Sequence, residues 1–313
     1  MKAAIIEQFG QADQLKVADR PLPVVGRGEV LIRVKAAGLN PVDTKIRAGT
    51  HISCKDLVLP AILGKEVSGI VVEAGEEAGG LLPGDEVFAF LPSNGGFAQY
   101  VSAPSQWVIR KPANVSFETA AAASLAGLTA YQAIHAHLEL DGKERVLIQA
   151  AAGGVGHLAV QLAKRTGAHV SGTASDRNHD FLVDLGVDQV INYKTERFEE
   201  KASGVDAVLD AMGGEVLYRS IAYVKPGGRV VCLPSATRDD PRAVALANGR
   251  NVQLIWPMMK PDRDQLQQLA RLLEQNKLHV EVSRTFPLEE IVAAHRAVES
   301  HRTRGKLALV VEP

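Results

Sequence analysis

Cysteine is scarce in this chain, with only Cys54 and Cys232 among 313 residues. A closed structural zinc site draws on four Cys or Cys/His ligands at tight spacing, and two distant thiols cannot supply one. Reduced, half-buried thiols are expected rather than a disulfide. An excess of charge is missing too: the net charge is -1, and Lys and Arg are scattered along the sequence. No basic field exists for nucleic acid, so that partner class is not expected. Nor is there an uninterrupted run of about 18 apolar residues of the kind that crosses a bilayer. The most apolar stretch, "AAAASLAGLTAYQAI", is broken by Ser124, Gly127, Thr129 and Gln132. The opening "MKAAIIEQFG" has too short an apolar run for a signal-peptide core. No internal repeat or low-complexity segment is present. These absences predict a cytoplasmic protein with no membrane attachment.

What remains is the composition of an ordinary globular protein, 46% hydrophobic and 23% charged, long enough for two domains. Roughly the first 110 residues read as β-rich. In "GEVLIRVKA" the residues Val30, Ile32 and Val34 alternate with Leu31, Arg33 and Lys35, the period of a half-buried strand. "GIVVEAG" and "EVFAFLP" repeat the theme around the Pro-Gly turn of "LPGDEV", which suggests a barrel or sandwich. From Ser116, a plausible N-cap with Glu118 in the first turn, the texture becomes helical. Six apolar runs then alternate with helix-length segments: "RVLIQA", "HVSGTA", "QVINY", "DAVLDA", "RVVCLP" and "VQLIWP". Apolar strands alternating with helices predict a parallel sheet covered on both faces, and six strands suit a doubly wound dinucleotide fold. The tail after Pro261 either extends that sheet or returns to the first domain.

Residues 145–163, "RVLIQAAAGGVGHLAVQLA", run from a buried strand through a glycine turn into a helix. This is a G-x-G-x-x-G fingerprint with Ala151 in the first glycine position. Gly153 lets the backbone approach a pyrophosphate, and Gly156 lets the helix pack closely on the strand. The helix start offers unpaired N–H groups and a positive dipole end to phosphates. Ala152, Gly153, Gly154, Val155 and Gly156 are therefore the predicted phosphate cradle. At the end of the second strand, in "TASDRN", the spacing leaves Ser175 and Asp176 open as the ribose contact. Arg177 tips the reading toward NADPH, because a guanidinium suits a 2′-phosphate.

Eight segments together carry a family likeness: "AAGLNPVDTKIRAG", "GKEVSGIVVEAG", "PGDEVFAF", "GGFAQYV", "SLAGLTAY", "AAAGGVGHLAVQLAK", "VINY" and "RTRGKLALVV". They span nearly the whole chain. The sequence resembles the medium-chain dehydrogenase/reductase superfamily, and within it the zinc-free quinone oxidoreductase (zeta-crystallin-like) group. The resemblance implies an α/β protein with a GroES-like β-barrel domain, residues 1–115 completed by 262–313, and a Rossmann doubly wound parallel-sheet domain, residues 116–261. It places Thr129 beside the nicotinamide, Asn40 at the junction of cofactor and substrate, and Tyr193 at the adenosine phosphate. It also implies that Leu233, Ser235 and Met258 flank the nicotinamide half and that Lys306 returns to the cofactor. A homodimer is the family's expectation.

Zinc-dependent members of that superfamily hold catalytic zinc with two Cys and one His. By motif those positions fall at Asn40, at Leu125 and at Lys65 in "GKE", so the resemblance implies that no such metal site exists. Without a Lewis acid, hydride addition favours a quinone or an α,β-unsaturated carbonyl, whose charge spreads onto an oxygen that hydrogen-bond donors stabilise. Asn40 and Lys65 are the candidate catalytic donors, and Lys65 paired with Glu66 or Asp43 is the structural alternative. The group often carries a Tyr near the quinone site where this chain has His51 in "RAGTHISCKDLVLP". The expected activity is NADPH-dependent reduction of a small quinone, enal or enone. A zinc-independent alcohol dehydrogenase, an enoyl reductase with another acceptor, or a non-catalytic NADPH-binding protein are the rivals.

Overall fold

The computed structural model describes residues 1–201 and 204–312. The chain divides into two compact units, Met1–Leu128 with Pro261–Pro313, and Thr129–Lys260. The tail therefore returns to the first unit.

The first unit is built on strands. In chain order these are β1 (Lys2–Ile6), β2 (Lys16–Asp19), β3 (Glu29–Leu39), β4 (Ala61–Ile62), β5 (Glu66–Ala74), β6 (Glu86–Phe90), β7 (Tyr100–Pro104) and β8 (Val108–Arg110). The long β3 contains the alternating "EVLIRVKA" segment and is the unit's hub, pairing antiparallel with both β5 and β7. Val30, Ile32 and Val34 are buried in the core with Val67, Val71, Val87 and Phe97, as the period-2 pattern requires. Two helices adjoin these strands. Helix α1 (Pro41–Arg47) starts where β3 ends, with Pro41 at its first position, where the missing N–H costs nothing. Helix α2 (Phe117–Tyr131) begins in the first unit, where Ser68 Oγ donates to Phe117 O at 2.5 Å. The junction between the units falls inside α2, at Leu128/Thr129, rather than at the expected residue 115/116.

The second unit holds all six predicted strands: β9 (Arg145–Ile148), β10 (His169–Ala174), β11 (Gln189–Asn192), β12 (Ala207–Asp210), β13 (Arg229–Cys232) and β14 (Gln253–Ile255). They form one parallel sheet in the order β11-β10-β9-β12-β13-β14. That is the doubly wound dinucleotide order, with its reversal between β9 and β12. Val146, Leu147, Ile148, Val208 and Val230 are fully buried, which explains why these strands read as continuous apolar runs. Helix α3 (Gly156–Thr166) follows β9 and ends on Gly167, whose φ of 90° suits the left-handed C-cap.

The last strands, β15 (Val282–Pro287) and β16 (Lys306–Val310), belong to the first unit. There β16 lies between β15 and β3, with Leu307 opposite Leu39 and Ala308 opposite Gly38. A strand more than 260 residues away thus lies along the end of β3, beside the start of α1.

Close packing of α3 on the turn before it rests on one missing side chain. A Cβ on Gly156 would lie 2.3 Å from Ala150 O and 2.8 Å from Ala151 Cα, both backbone atoms that cannot swing away. Gly156→Ala is expected to destabilise the protein by about 1–3 kcal/mol, as overpacking does. Chemical denaturation measures this, and an unchanged midpoint would show that the turn tolerates the methyl.

Candidate active site

Beside the end of β3, the first unit buries a carboxylate. Glu66 is fully buried, yet no donor comes from Lys65 next to it. Neighbouring residues entering a strand point to opposite sides, so Glu66 turns toward β3 and β16 while Lys65 Nζ donates to Pro92 O at 2.6 Å. Glu66 Oε1 accepts from Asn40 Nδ2 and from Lys306 Nζ, both at 2.8 Å, and Oε2 accepts from Leu125 N of α2 at 2.6 Å. Lys306 Nζ also donates to Leu39 O at 2.9 Å and to Asn40 Oδ1. The cluster fits only because Gly38 has no side chain, since a Cβ there would sit 2.2 Å from Glu66 Oε1.

Lys306, expected to return to the cofactor, is held by partners within the first unit. Its ammonium has three hydrogens, and Leu39, Asn40 and Glu66 take them all. Lys306 thus neutralises Glu66. Lys65 is likewise not the partner of Glu66. Asn40 is buried, with its amide oriented by Lys306 on one side and Glu66 on the other. One Nδ2 hydrogen serves Glu66, which leaves the second as what Asn40 offers a ligand. Two of the motif positions at which zinc-dependent relatives carry ligands, Asn40 and Leu125, thus meet on one carboxylate. Among the described residues, no group of three or more His, Cys, Asp or Glu is placed to hold a metal ion.

Asp43 in the first turn of α1 completes this region. Its Oδ2 accepts from Asn40 N at 2.8 Å, the backbone half of a capping box. Burial raises its pKa from 3.8 to about 7, with the nearby Glu66 charge adding to the rise and Asn40 N–H, Lys306 and Lys65 opposing it. Burial also lowers the Lys65 pKa, against the pull of Asp43. His51 caps its own turn by accepting from Ser53 N at 3.2 Å, and its pKa is lowered by burial and by Lys45 and Lys65.

In the second unit the predicted contacts stand just past the carboxyl ends of the parallel strands, where ligands bind in open α/β sheets. Ala152 to Gly156 follow β9. Ser175 and the exposed Arg177 follow β10, Tyr193 follows β11, Leu233 and Ser235 follow β13, and Met258 lies beyond β14. Tyr193 is 60% exposed, and its N–H donates to Ala174 O at 3.2 Å, which holds it next to Ser175. Thr129 is half-buried at the end of α2. Ala151 stands in the first glycine position of the fingerprint, and the left-handed residue is its neighbour Ala150, with φ 52°. Its N–H donates to Thr173 Oγ1 at 3.1 Å, and that hydroxyl donates to Gln149 Oε1 at 2.7 Å. This buried network holds a conformation that a residue with a Cβ rarely adopts. Gly153 and Gly154 present no side chain, and Val155, the N-cap of α3, makes no side-chain capping bond. Gly153 N donates to Ala150 O and His157 N to Gly153 O; the other N–H groups of a helix's first turn have no partner within the helix, which suits an anion such as a pyrophosphate.

Neither Glu66 nor Gly38 emerges from the sequence as part of the site. The nearest signal for Glu66 was its place in "GKE"; for Gly38 it was a lone Gly inside a strand pattern, which marks close approach.

Comparisons with known proteins agree with this fold. Residues 26–113 match the family described as an alcohol dehydrogenase GroES-like domain, and residues 185–309 match that described as a zinc-binding dehydrogenase. The quinone oxidoreductase from Coxiella burnetii is 40% identical, with a TM-score of 0.94 over 100% of this chain and 99% of its own. The Escherichia coli quinone oxidoreductase, solved with NADPH, is 27% identical, with a TM-score of 0.90 over 99% of this chain and 100% of its own. The 2-methylene-furan-3-one reductase of Solanum lycopersicum is 34% identical, over 99% of this chain and 79% of its own.

Glu66→Gln is expected to destabilise the fold by about 3–5 kcal/mol, because it leaves the Lys306 ammonium buried without its counter-charge. The new amide would also turn a donor toward Leu125 N or the other donors. Denaturant unfolding tests this, and a variant as stable as the parent would mean the ammonium finds another partner.

Proposed function

We propose, on the premise that the chain belongs to the medium-chain dehydrogenase/reductase superfamily and to its zeta-crystallin-like quinone oxidoreductase group, that it reduces a quinone or an α,β-unsaturated carbonyl with NADPH and without a metal. The observation that carries this reading is the donor set at the head of α1. Asn40, Leu125 and Lys65 present an amide, a backbone N–H already held by Glu66 and an ammonium, none of which binds zinc as Cys and His do. The amide and the ammonium suit an oxygen that gains negative charge gradually, as a conjugated acceptor's does.

The glycine turn and α3 would hold the cofactor's pyrophosphate, and Ser175, Arg177 and Tyr193 its adenosine end. The bound nicotinamide supplies hydride. Thr129, Leu233, Ser235 and Met258 would orient its reactive half. Asn40 offers its second Nδ2 hydrogen, and Lys65 its ammonium, to the acceptor oxygen. Lys65 is buried, so its charge acts in a medium of low dielectric, where it stabilises a developing oxyanion more than it would in water. The resemblance supports a homodimer, and nothing in the proposed chemistry depends on that.

Steady-state oxidation of NADPH and NADH against a panel of quinones, enals and enones, in the presence of chelator, tests the reading. Turnover is expected to survive chelation and to favour NADPH. Charge-assisted bonds to phosphate are worth about 1.5–3 kcal/mol each. Arg177→Ala should therefore weaken NADPH about 10- to 150-fold and leave NADH nearly unchanged. Equal losses for both would remove Arg177 from the 2′-phosphate.

Lys65→Met keeps the length of the side chain and removes its charge. It should lower kcat and kcat/KM together by about 10- to 1000-fold, with NADPH affinity intact, as loss of one oxyanion donor does. Parental kcat in the folded, NADPH-binding variant would leave Asn40 as the only side-chain donor in the mechanism.

A further inference from the structure

Strand pairing at the edge of the second unit's sheet ends with β14, and the chain runs on through residues 256–260 outside any helix or strand. This strap carries Met258, an apolar side chain that is 50% exposed. Side chains tie it at both ends. At its start, Trp256 O accepts from Arg238 Nη2 at 3.0 Å, and Trp256 Nε1 donates to Thr237 Oγ1 at 3.3 Å. The same hydroxyl donates to Pro234 O at 2.8 Å and lies 3.3 Å from Cys232 Sγ. Thr237 therefore joins the strap to the segment that leaves β13 with Leu233 and Ser235. At its end, Gln132 Nε2 donates to Lys260 O at 2.7 Å, and Lys260 N donates to Gln132 Oε1 at 3.1 Å. One carboxamide thus takes both backbone groups of a residue, as the opposite residue of an antiparallel strand would.

Gln132 is buried, where a carboxamide is costly unless it is paired. It opens a π-helical turn, residues 132–137, that continues α2, and Leu138 N there donates to Ala133 O, five residues back. Single turns of this kind occur frequently at functional sites. Thr129 lies three residues earlier, a spacing that puts two side chains on one face of a helix. The clamp on the strap therefore comes from the helix face that carries Thr129.

We propose that Gln132 is a positioning residue of the cofactor site: together with Thr237 at the other end, it holds the strap so that Met258 packs on the nicotinamide half of the bound dinucleotide. The proposal rests on the functional reading above, in which Thr129 and Met258 orient that half. A methionine side chain is unbranched and adaptable. It defines a wall of a site only where its backbone is fixed, and the ties at Trp256 and Lys260 fix that backbone two residues to either side. Gln132 acts through the strap.

The chain has four methionines, Met1, Met212, Met258 and Met259, so carbon-13 methyl NMR reads the strap directly. In the cofactor-free protein, Gln132→Leu should move the Met258 and Met259 signals and leave that of Met1 in place. Lys260 is exposed, so water can take its freed backbone groups and the fold should survive. NADPH should shift the Met258 signal of the parent, whereas adenosine 2′,5′-bisphosphate, which lacks the nicotinamide, should not. Gln132→Leu should weaken NADPH about 2- to 10-fold, the equivalent of one neutral hydrogen bond. Affinity for the bisphosphate should be unchanged, a split that a general loss of stability would not produce. A neutral carboxylic acid donates and accepts as the amide does, while a carboxylate only accepts. Gln132→Glu should therefore match Gln132→Leu at alkaline pH and regain the parent's NADPH affinity as the new side chain is protonated. Methionine signals unmoved in Gln132→Leu, equal losses for NADPH and the bisphosphate, or no recovery of Gln132→Glu in acid would each overturn the positioning role. A parental Met258 signal indifferent to NADPH would overturn the contact. A parent that binds neither NADPH nor the bisphosphate would sink the functional reading and this use of the clamp with it. The cofactor-free spectra report on the clamp alone.

Discussion

The carboxylate of Glu66, buried at the foot of β5, is the constraint around which the first unit arranges its site. Removing a charge of this kind from water costs several kcal/mol unless its partners are close and complete. Here three N–H donors on Glu66, from α2, from β16 and from the end of β3, meet that demand. The arrangement fixes much else. Gly38 cannot carry a side chain, Lys306 must come back along β3, and the amide of Asn40 is locked with its oxygen toward the ammonium. An Asn oriented by two charged partners has a defined donor direction, which is what a transition state needs from a donor.

The same economy of donors separates the two lysines. Lys306 is fully engaged, whereas Lys65 has a single carbonyl partner. A lysine serving only to neutralise a carboxylate has no hydrogen left for a ligand. A buried lysine whose pKa is lowered, as that of Lys65 is, gives up its proton more readily than one in water. The different engagement of the two residues therefore follows from geometry. Their chemistry is identical.

The second unit solves a different problem, which is to leave backbone N–H groups open at one edge of a parallel sheet. Every candidate contact there except Thr129 stands past a strand's carboxyl end, because parallel strands bring all those ends to one side. The glycines remove side chains from the path of a phosphate. The buried Gln149–Thr173 pair then holds Ala150 in a left-handed turn that glycine would adopt without help.

Local patterns determined a good deal. The six apolar runs specified six parallel strands, and the spacing of Gly153 and Gly156 specified the turn into α3. Both are legible because they depend on neighbours within a few residues. The donor types at positions 40, 65 and 125 were likewise visible as residues. Their partnerships were not. Glu66 sits beside Lys65 in sequence and pairs with Lys306, 240 residues away, because strand geometry turns neighbours to opposite sides while sheet register brings β16 along β3. The near-neutral pKa of Asp43 has the same origin: burial is a property of the packed fold, and no sequence window contains it.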